Sequence, residues 1–222
     1  MTETETTADV KSDAQVDVKP DGKIPMSFQV GDKAIDGATV NTLTFSKYAE
    51  LMREANYMPG PKPYEIKLLR LRLAKQVTYH INGATTTITP DETTRIPTKS
   101  VWALQAQLDT NIDVKAGRVI RSGDGVDTAI GYELGTPIPT GQGKPPITEL
   151  EFLAPTLGDI EDVLTAVSGM DQTLQLIKSV AKPVHTSLQA LPTWAIDQIT
   201  VTDGVSIAQK VLPYFLGQAV EP

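Results

Sequence analysis

The sequence predicts an α+β fold of two small units, each a β-hairpin followed by helices, with a mainly helical C-terminal part. Apolar residues alternate in Ile24, Met26, Phe28 and Val30, and again in Ile130, Tyr132 and Leu134. That period of two is the mark of a half-buried strand. After each alternating region the spacing changes to that of an amphipathic helix, as in Tyr48, Leu51, Met52 and Ala55. Asn82-Gly83 stands between two β-prone runs, the composition that a tight type I′ hairpin turn demands.

Residues 1–22 hold Thr, Glu, Asp, Lys and Ala with almost nothing large and apolar, and predict a flexible acidic tail. An N-terminal α+β unit is expected over 23–110. It begins with the strand at Ile24–Val30, turns at Gly31-Asp32 and Asp36-Gly37, and continues in an alternating Val40–Phe45. Ser46 is positioned to cap the first helix, which Pro59, Pro61 and Pro63 stop. A second helix over Tyr64–Lys75 points Ile66, Leu69 and Leu73 inward. Its basic residues Lys67, Arg70, Arg72 and Lys75 read as a solvated face. The Asn82-Gly83 hairpin follows, and then a helix over Lys99–Leu108 with Val101, Leu104 and Leu108 inward. Residues 111–128 are Asp-, Asn-, Gly- and Ser-rich and read as a linker.

A second unit is expected over 129–222. After the Ile130–Leu134 strand and a Gly/Pro-rich turn, Ile147–Leu153 alternates, with Leu150 and Phe152 on one face and Ile147, Glu149, Glu151 and Leu153 on the other. Thr156 and Asp159 have the capping-box spacing, and Ile160, Val163, Leu164 and Val167 mark the buried face of the helix they open. Gly169 closes that helix. Leu174, Ile177 and Ala181 mark the next, which Pro183 ends. A short helix near Thr193–Ile199 carries Trp194, and a last one after Thr202-Asp203 is bent or ended by Pro213. Val40–Phe45 aligns with Ile147–Phe152, and Ala74-Lys75-Gln76-Val77 with Ala181-Lys182-Pro183-Val184. These matches argue for an internal duplication; the Asn82-Gly83 hairpin, without a counterpart after Val184, argues against it.

Composition narrows the function. Apolar residues make up 40% of the 222 positions, with four Phe and two Trp, so a core is available but it is largely aliphatic. The formal charge of −7 repels phosphate backbones, and no compact basic stripe offsets it, so no nucleic-acid partner is expected. Absence of Cys excludes disulfides, thiolate metal sites and thiol catalysis. No stretch approaches the roughly 20 apolar residues of a membrane span. The acidic, Thr-rich start is unlike a secretory signal. Cytoplasmic synthesis and no membrane partner are the expectation.

The sequence nominates no catalytic, cofactor-binding or metal-binding residue, and no cofactor. His80 and His185 have no second His or carboxylate at ligand spacing. Asp159, Glu161 and Asp162 lie near a helix N-terminus, where the helix dipole favours acids. Gly141-Gln142-Gly143-Lys144 lacks the spacing of a phosphate loop, and Pro145-Pro146 stands where its helix should start. The chain therefore reads as a non-enzyme that binds other proteins.

One segment has a more specific pattern. Tyr132–Ile138, a Gly-rich turn and Ile147–Asp159, with Leu150, Phe152, Pro155 and Asp159 as its skeleton, resembles the tail assembly proteins of Mu-like and P2-like contractile-tailed bacteriophages. So does the closing Leu191–Leu216. The usual basic residue is replaced by Leu153 or Ala154, and in the first half Phe45-Ser46-Lys47 stands where Pro and Asp are expected. The resemblance covers residues 130–217. It implies a non-catalytic chaperone or adaptor in virion morphogenesis, with the tape-measure, tail tube or baseplate proteins as partners, working in the host cytoplasm during assembly. The alternative is a structural virion subunit of the baseplate, tail terminus or neck, retained in the tail; an enzyme with a scattered site is a third reading.

Overall fold

In the computed structural model the described residues are 22–110, 116–121, 129–141, 143–166, 168–186 and 188–216. Apart from Gly22, the expected acidic tail lies outside them. Two four-stranded antiparallel sheets organise the chain, and its C-terminal part is helical. The predicted α+β class is thus the class observed.

The first sheet contains β1 (Ile24–Val30), β2 (Lys33–Val40), β3 (Val77–Ile81) and β4 (Ala84–Thr86), in that spatial order. Between β2 and β3 the chain leaves for two helices, α1 (Phe45–Tyr57) and α2 (Tyr64–Lys75). A 3-10 turn at Glu92–Arg95 and α3 (Thr98–Thr110) follow β4. The Asn82-Gly83 turn forms as expected, with φ of 49° and 82° joining Ile81 to Ala84. The second strand, however, lies one segment earlier than alternation suggests. Asp36-Gly37 is inside β2 and makes no turn, while the chain leaves the sheet after Val40, over Asn41–Thr44. The Lys23 side chain lies across Gly37, its Cε 2.0 Å from where a Cβ would stand, and it would have to swing aside for a larger residue.

The second sheet contains β5 (Arg118–Arg121), β6 (Ile130–Ile138), β7 (Ile147–Phe152) and β8 (Ala181–Pro183), again in order. Helices α4 (Leu157–Thr165) and α5 (Gly169–Val180) connect β7 to β8, and α6 (Thr193–Ile196), α7 (Val201–Lys210) and α8 (Leu212–Phe215) close the chain. Strand β5 falls inside the stretch read as a linker. Gly169 opens α5 under a Ser168 cap and does not close α4. Ala181–Pro183 is strand, with Pro183 opposite Leu150, so the helix ends before the proline. Ile147 is buried with Leu150 and Phe152 and not on the opposite face, because the β6–β7 register shifts between Glu133 and Ile138. Pro213 does divide the last helical stretch, at Val211.

The two sheets share a path: hairpin, two helices, then a third strand beside the second. β1, β2, α1, α2 and β3 correspond to β6, β7, α4, α5 and β8. Val40 pairs with Val77 where Phe152 pairs with Ala181. At the next position Asn41 N donates to Gln76 O at 2.9 Å, and Leu153 N to Val180 O at 3.0 Å. Residues 41–44 then lead to a Thr44 cap and 153–156 to a Thr156 cap. Val40 therefore matches Phe152, and Val77 matches Ala181, so both of the sequence alignments are out of register. The fourth strands are added on opposite edges, β4 beside β3 and β5 beside β6.

Apolar packing joins the halves. One buried cluster gathers Ile24, Val30, Ile35, Leu73, Tyr79, Leu104 and Leu108. The larger one combines Tyr132, Leu150, Phe152, Leu176, Ile177 and Ile207 with Phe45 and Ala49 from α1. Helix α1 thus belongs to the first unit by connection and to the second by packing. Phe45 N donates to Ile199 O at 2.8 Å, beside a Thr44–Thr200 bridge. Its cap is Thr44, not Ser46, which is buried in the first turn.

Candidate binding surfaces and the buried carboxylate beneath them

Three helices open with the same local device, a Ser or Thr cap and an Asp three residues later. At α4, Asp159 N donates to Thr156 Oγ1 at 3.3 Å, and Thr156 N returns a bond to Asp159 Oδ2 at 2.8 Å. Bonds from the Thr156 side chain and amide hold the Asp159 carboxyl below its ordinary pKa. At α5, Ser168 and Asp171 repeat the pair, and Asp171 also accepts from Arg53 Nη2 at 2.7 Å, across the two units. That carboxylate raises the Arg53 pKa. In α1 the equivalent position is Lys47, which cannot return the acid's bond, and the Thr44 hydroxyl lies 3.3 Å from Ser46 Oγ and makes no cap bond.

At α7 the device is turned inward. The last helix starts at Val201 under Thr200, earlier than Thr202-Asp203 suggests, and Asp203 is fully buried. Its Oδ1 accepts from Gly117 N at 2.8 Å, Gly135 N at 2.9 Å and Tyr132 Oη at 3.3 Å. Its Oδ2 accepts from Thr136 N at 3.3 Å and Thr200 Oγ1 at 3.0 Å. One carboxylate therefore ties β5, β6 and α7 together. A buried charge so fully hydrogen-bonded is tolerated where a bare one would not be. Gly117 is required there, since a Cβ would lie 2.2 Å from Glu133 O and 2.7 Å from Asp203 Oδ1. Burial pushes the Tyr132 phenol far above its ordinary pKa.

Hollows open on this half among the described residues, two of which bear on binding. One, of about 310 Å³, is lined by Gly117, Arg118, Glu133, Gly135, Pro137 and Thr148. It backs onto the Asp203 bonds, and an Arg118 Nε–Glu133 Oε2 pair at 2.7 Å stands among its walls. The other, of about 450 Å³, is a groove between the β6–β7 turn and the β8–α6 loop, lined by Thr140, Lys144, Pro145, His185, Leu188 and Trp194. Trp194 is 44% and Leu188 39% exposed. His185 holds the left-handed backbone, φ 59°, a region that few non-glycine residues enter but in which histidine is enriched. The indole offers a flat apolar face and Lys144 a cation, which suits capture of a side chain from another molecule. Lys144, which ends the glycine-rich run Gly141–Lys144, lines this groove, and the strand β7 follows it where a phosphate loop would have a helix.

No site residue is predicted from sequence, and these surfaces are assembled by contacts too distant in the chain to be read from it. His80 Nε2 lies 2.9 Å from Thr39 Oγ1, a cross-strand bond between β3 and β2. Among the described residues no group of three or more His, Asp or Glu could hold a metal ion, and no helix is long and apolar enough to cross a membrane. The basic face of α2 is solvated only in part: Lys75 is exposed and Lys67 half-buried, whereas Arg72 and Arg70 are drawn into the fold. Arg72 is buried and donates to Leu108 O at 2.9 Å and Gln76 Oε1 at 3.1 Å, with its guanidinium 5.9 Å from the Tyr48 ring centroid. Arg70 donates twice to Pro90 O, at 2.9 and 2.7 Å, and also to Asp91. Compared with known proteins, the chain matches no family model, no curated protein and no solved structure.

Proposed function

We propose that this chain is a non-catalytic assembly protein of contractile bacteriophage tails, acting in the host cytoplasm as a chaperone or adaptor for the tape-measure and tail tube proteins. The observation that carries the reading is the segment around Leu150, Phe152, Pro155 and Asp159, whose pattern resembles that family. Leu150 and Phe152 are the buried end of β7, and Asp159 closes the cap of α4. Support for a binding role comes from the Trp194 groove and from large apolar side chains left exposed at Trp102, Leu157 and Leu164.

The test is co-expression with a phage tape-measure protein carrying long amphipathic helices. The expected result is transfer of the tape measure from the insoluble to the soluble fraction and its co-purification with this chain. Unchanged insolubility across such clients overturns the proposal. Mass spectrometry of purified virions separates the chaperone from a permanent subunit: stoichiometric presence in the particle makes the chain a tail component.

A further inference from the structure

We propose that the exposed face of α4, centred on Leu157, Glu161 and Leu164, docks a basic amphipathic helix of another protein, in the way α1 packs against α7 within this chain. The inference rests on the binding role proposed above and assigns it a surface. Matching the units at Val40 and Phe152 sets Phe45 on Leu157, Ala49 on Glu161, and Met52 on Leu164. In the first unit this face is closed. Phe45 and Ala49 have no exposure, the Phe45 ring lies over Gly204 of α7, and Met52 is half-buried.

In the second unit the same face is open. Leu157 is 75% exposed and Leu164 57%, one above the other at i and i+7. Leucines in register on one helix face present a stripe of the kind that receives a partner helix. The charge defines that partner. Helix α4 carries Asp159, Glu161 and Asp162 and no Lys or Arg. Glu161 stands within the stripe where the closed unit has Ala49. A fitting helix therefore has apolar residues at i, i+3 or i+4 and i+7, a small residue where Leu157 seats, and Lys or Arg facing Glu161. A second copy does not supply it from α7, because that helix is already covered by its own α1.

The probe is a fluorescent amphipathic Leu/Lys peptide of about 18 residues with a central Gly, long enough to form a helix on a surface. Its binding to the full chain is followed by anisotropy. The expected result is saturable binding, weakened about tenfold or more in Leu157→Asp/Leu164→Asp, as for loss of interface anchors. Trp194→Ala leaves it unchanged. Glu161→Lys weakens it, and a Leu/Glu peptide restores binding to that variant. Both leucines are exposed, so an unchanged melting temperature verifies folding. Equal affinity of the double variant, loss in Trp194→Ala instead, or self-association of the chain through this face each overturns the proposal. Rescue of a tape measure by the double variant defeats the α4 surface alone. Peptide binding without any tape-measure rescue defeats the tail-assembly reading alone.

Discussion

The ring of Phe45 occupies the space that a side chain at Gly204 would need: a Cβ on Gly204 would stand 2.1 Å from the ring's Cγ and Cδ2. Residue 204 is glycine for a helix–helix contact, in the second turn of an α-helix where glycine is otherwise unfavourable. Gly204→Ala should therefore destabilise the protein by about 1–3 kcal/mol, although alanine is the better helix former. Phe45→Ala should cost about 3–5 kcal/mol. Urea unfolding measures both, and Gly204→Ala combined with Phe45→Leu should lose less than the sum.

Asp203→Ala leaves the amides of Gly117, Gly135 and Thr136 without their acceptor. With about 1–3 kcal/mol for a buried donor left unmet and less for the half-buried amides of Gly135 and Thr136, the variant should lose about 2–4 kcal/mol. Hydrogen exchange should accelerate first at those three amides. Retained protection there would contradict the role given to the carboxylate.

Arg72→Lys should behave as a drastic change. A lysine cannot reach Leu108 O and Gln76 Oε1 together in the planar geometry of the guanidinium. The expected loss is about 2 kcal/mol, whereas Lys67→Ala on the same helix should fall within about 0.5 kcal/mol of the parent.

Tyr64 offers the opposite sign. Its hydroxyl is buried with no hydrogen-bond partner among the described residues, and burial raises its pKa. Tyr64→Phe should be neutral or stabilising by up to about 1 kcal/mol. A clear drop in thermal midpoint would reveal a partner for the hydroxyl.

Asp159, Asp36 and Glu92 all titrate below their ordinary values. The largest causes are the Thr156 side-chain bond, the Lys23 ammonium and the Thr89 backbone amide, respectively. Their native forms hold fewer protons than their unfolded forms, so acid favours unfolding. Stability should be level near neutrality and decline as pH falls below about 4. The buried phenols of Tyr79 and Tyr132, both raised chiefly by burial, act in reverse and should weaken the fold as pH rises past about 10. Denaturant midpoints across this range check both limbs.

Local patterns made much of this fold legible. The Asn82-Gly83 turn, the Tyr64–Lys75 helix and the Thr156/Asp159 cap all depend on residues a few positions apart. What escaped was decided at longer range. Gly37 looks like a turn residue until Lys23 is seen lying across it, and Ala181–Pro183 looks like a helix end until β7 is seen beside it. Arg72 reads as a solvated charge because nothing near it in sequence announces Leu108 O. Asp203 follows a legible cap residue, but the amides it binds come from Gly117, just before β5, and from β6, far back in the chain.

The contact of α1 with α7 also sets an order of events during synthesis. Phe45 and Ala49 leave the ribosome well before α7, the helix that covers them, is made. Until then a nascent chain displays an aromatic ring on a bare helix face, a state prone to association. A contact so distant in sequence carries a loop-closure cost that local helix contacts do not. Truncation before Val201 should leave even the first unit in need of a companion.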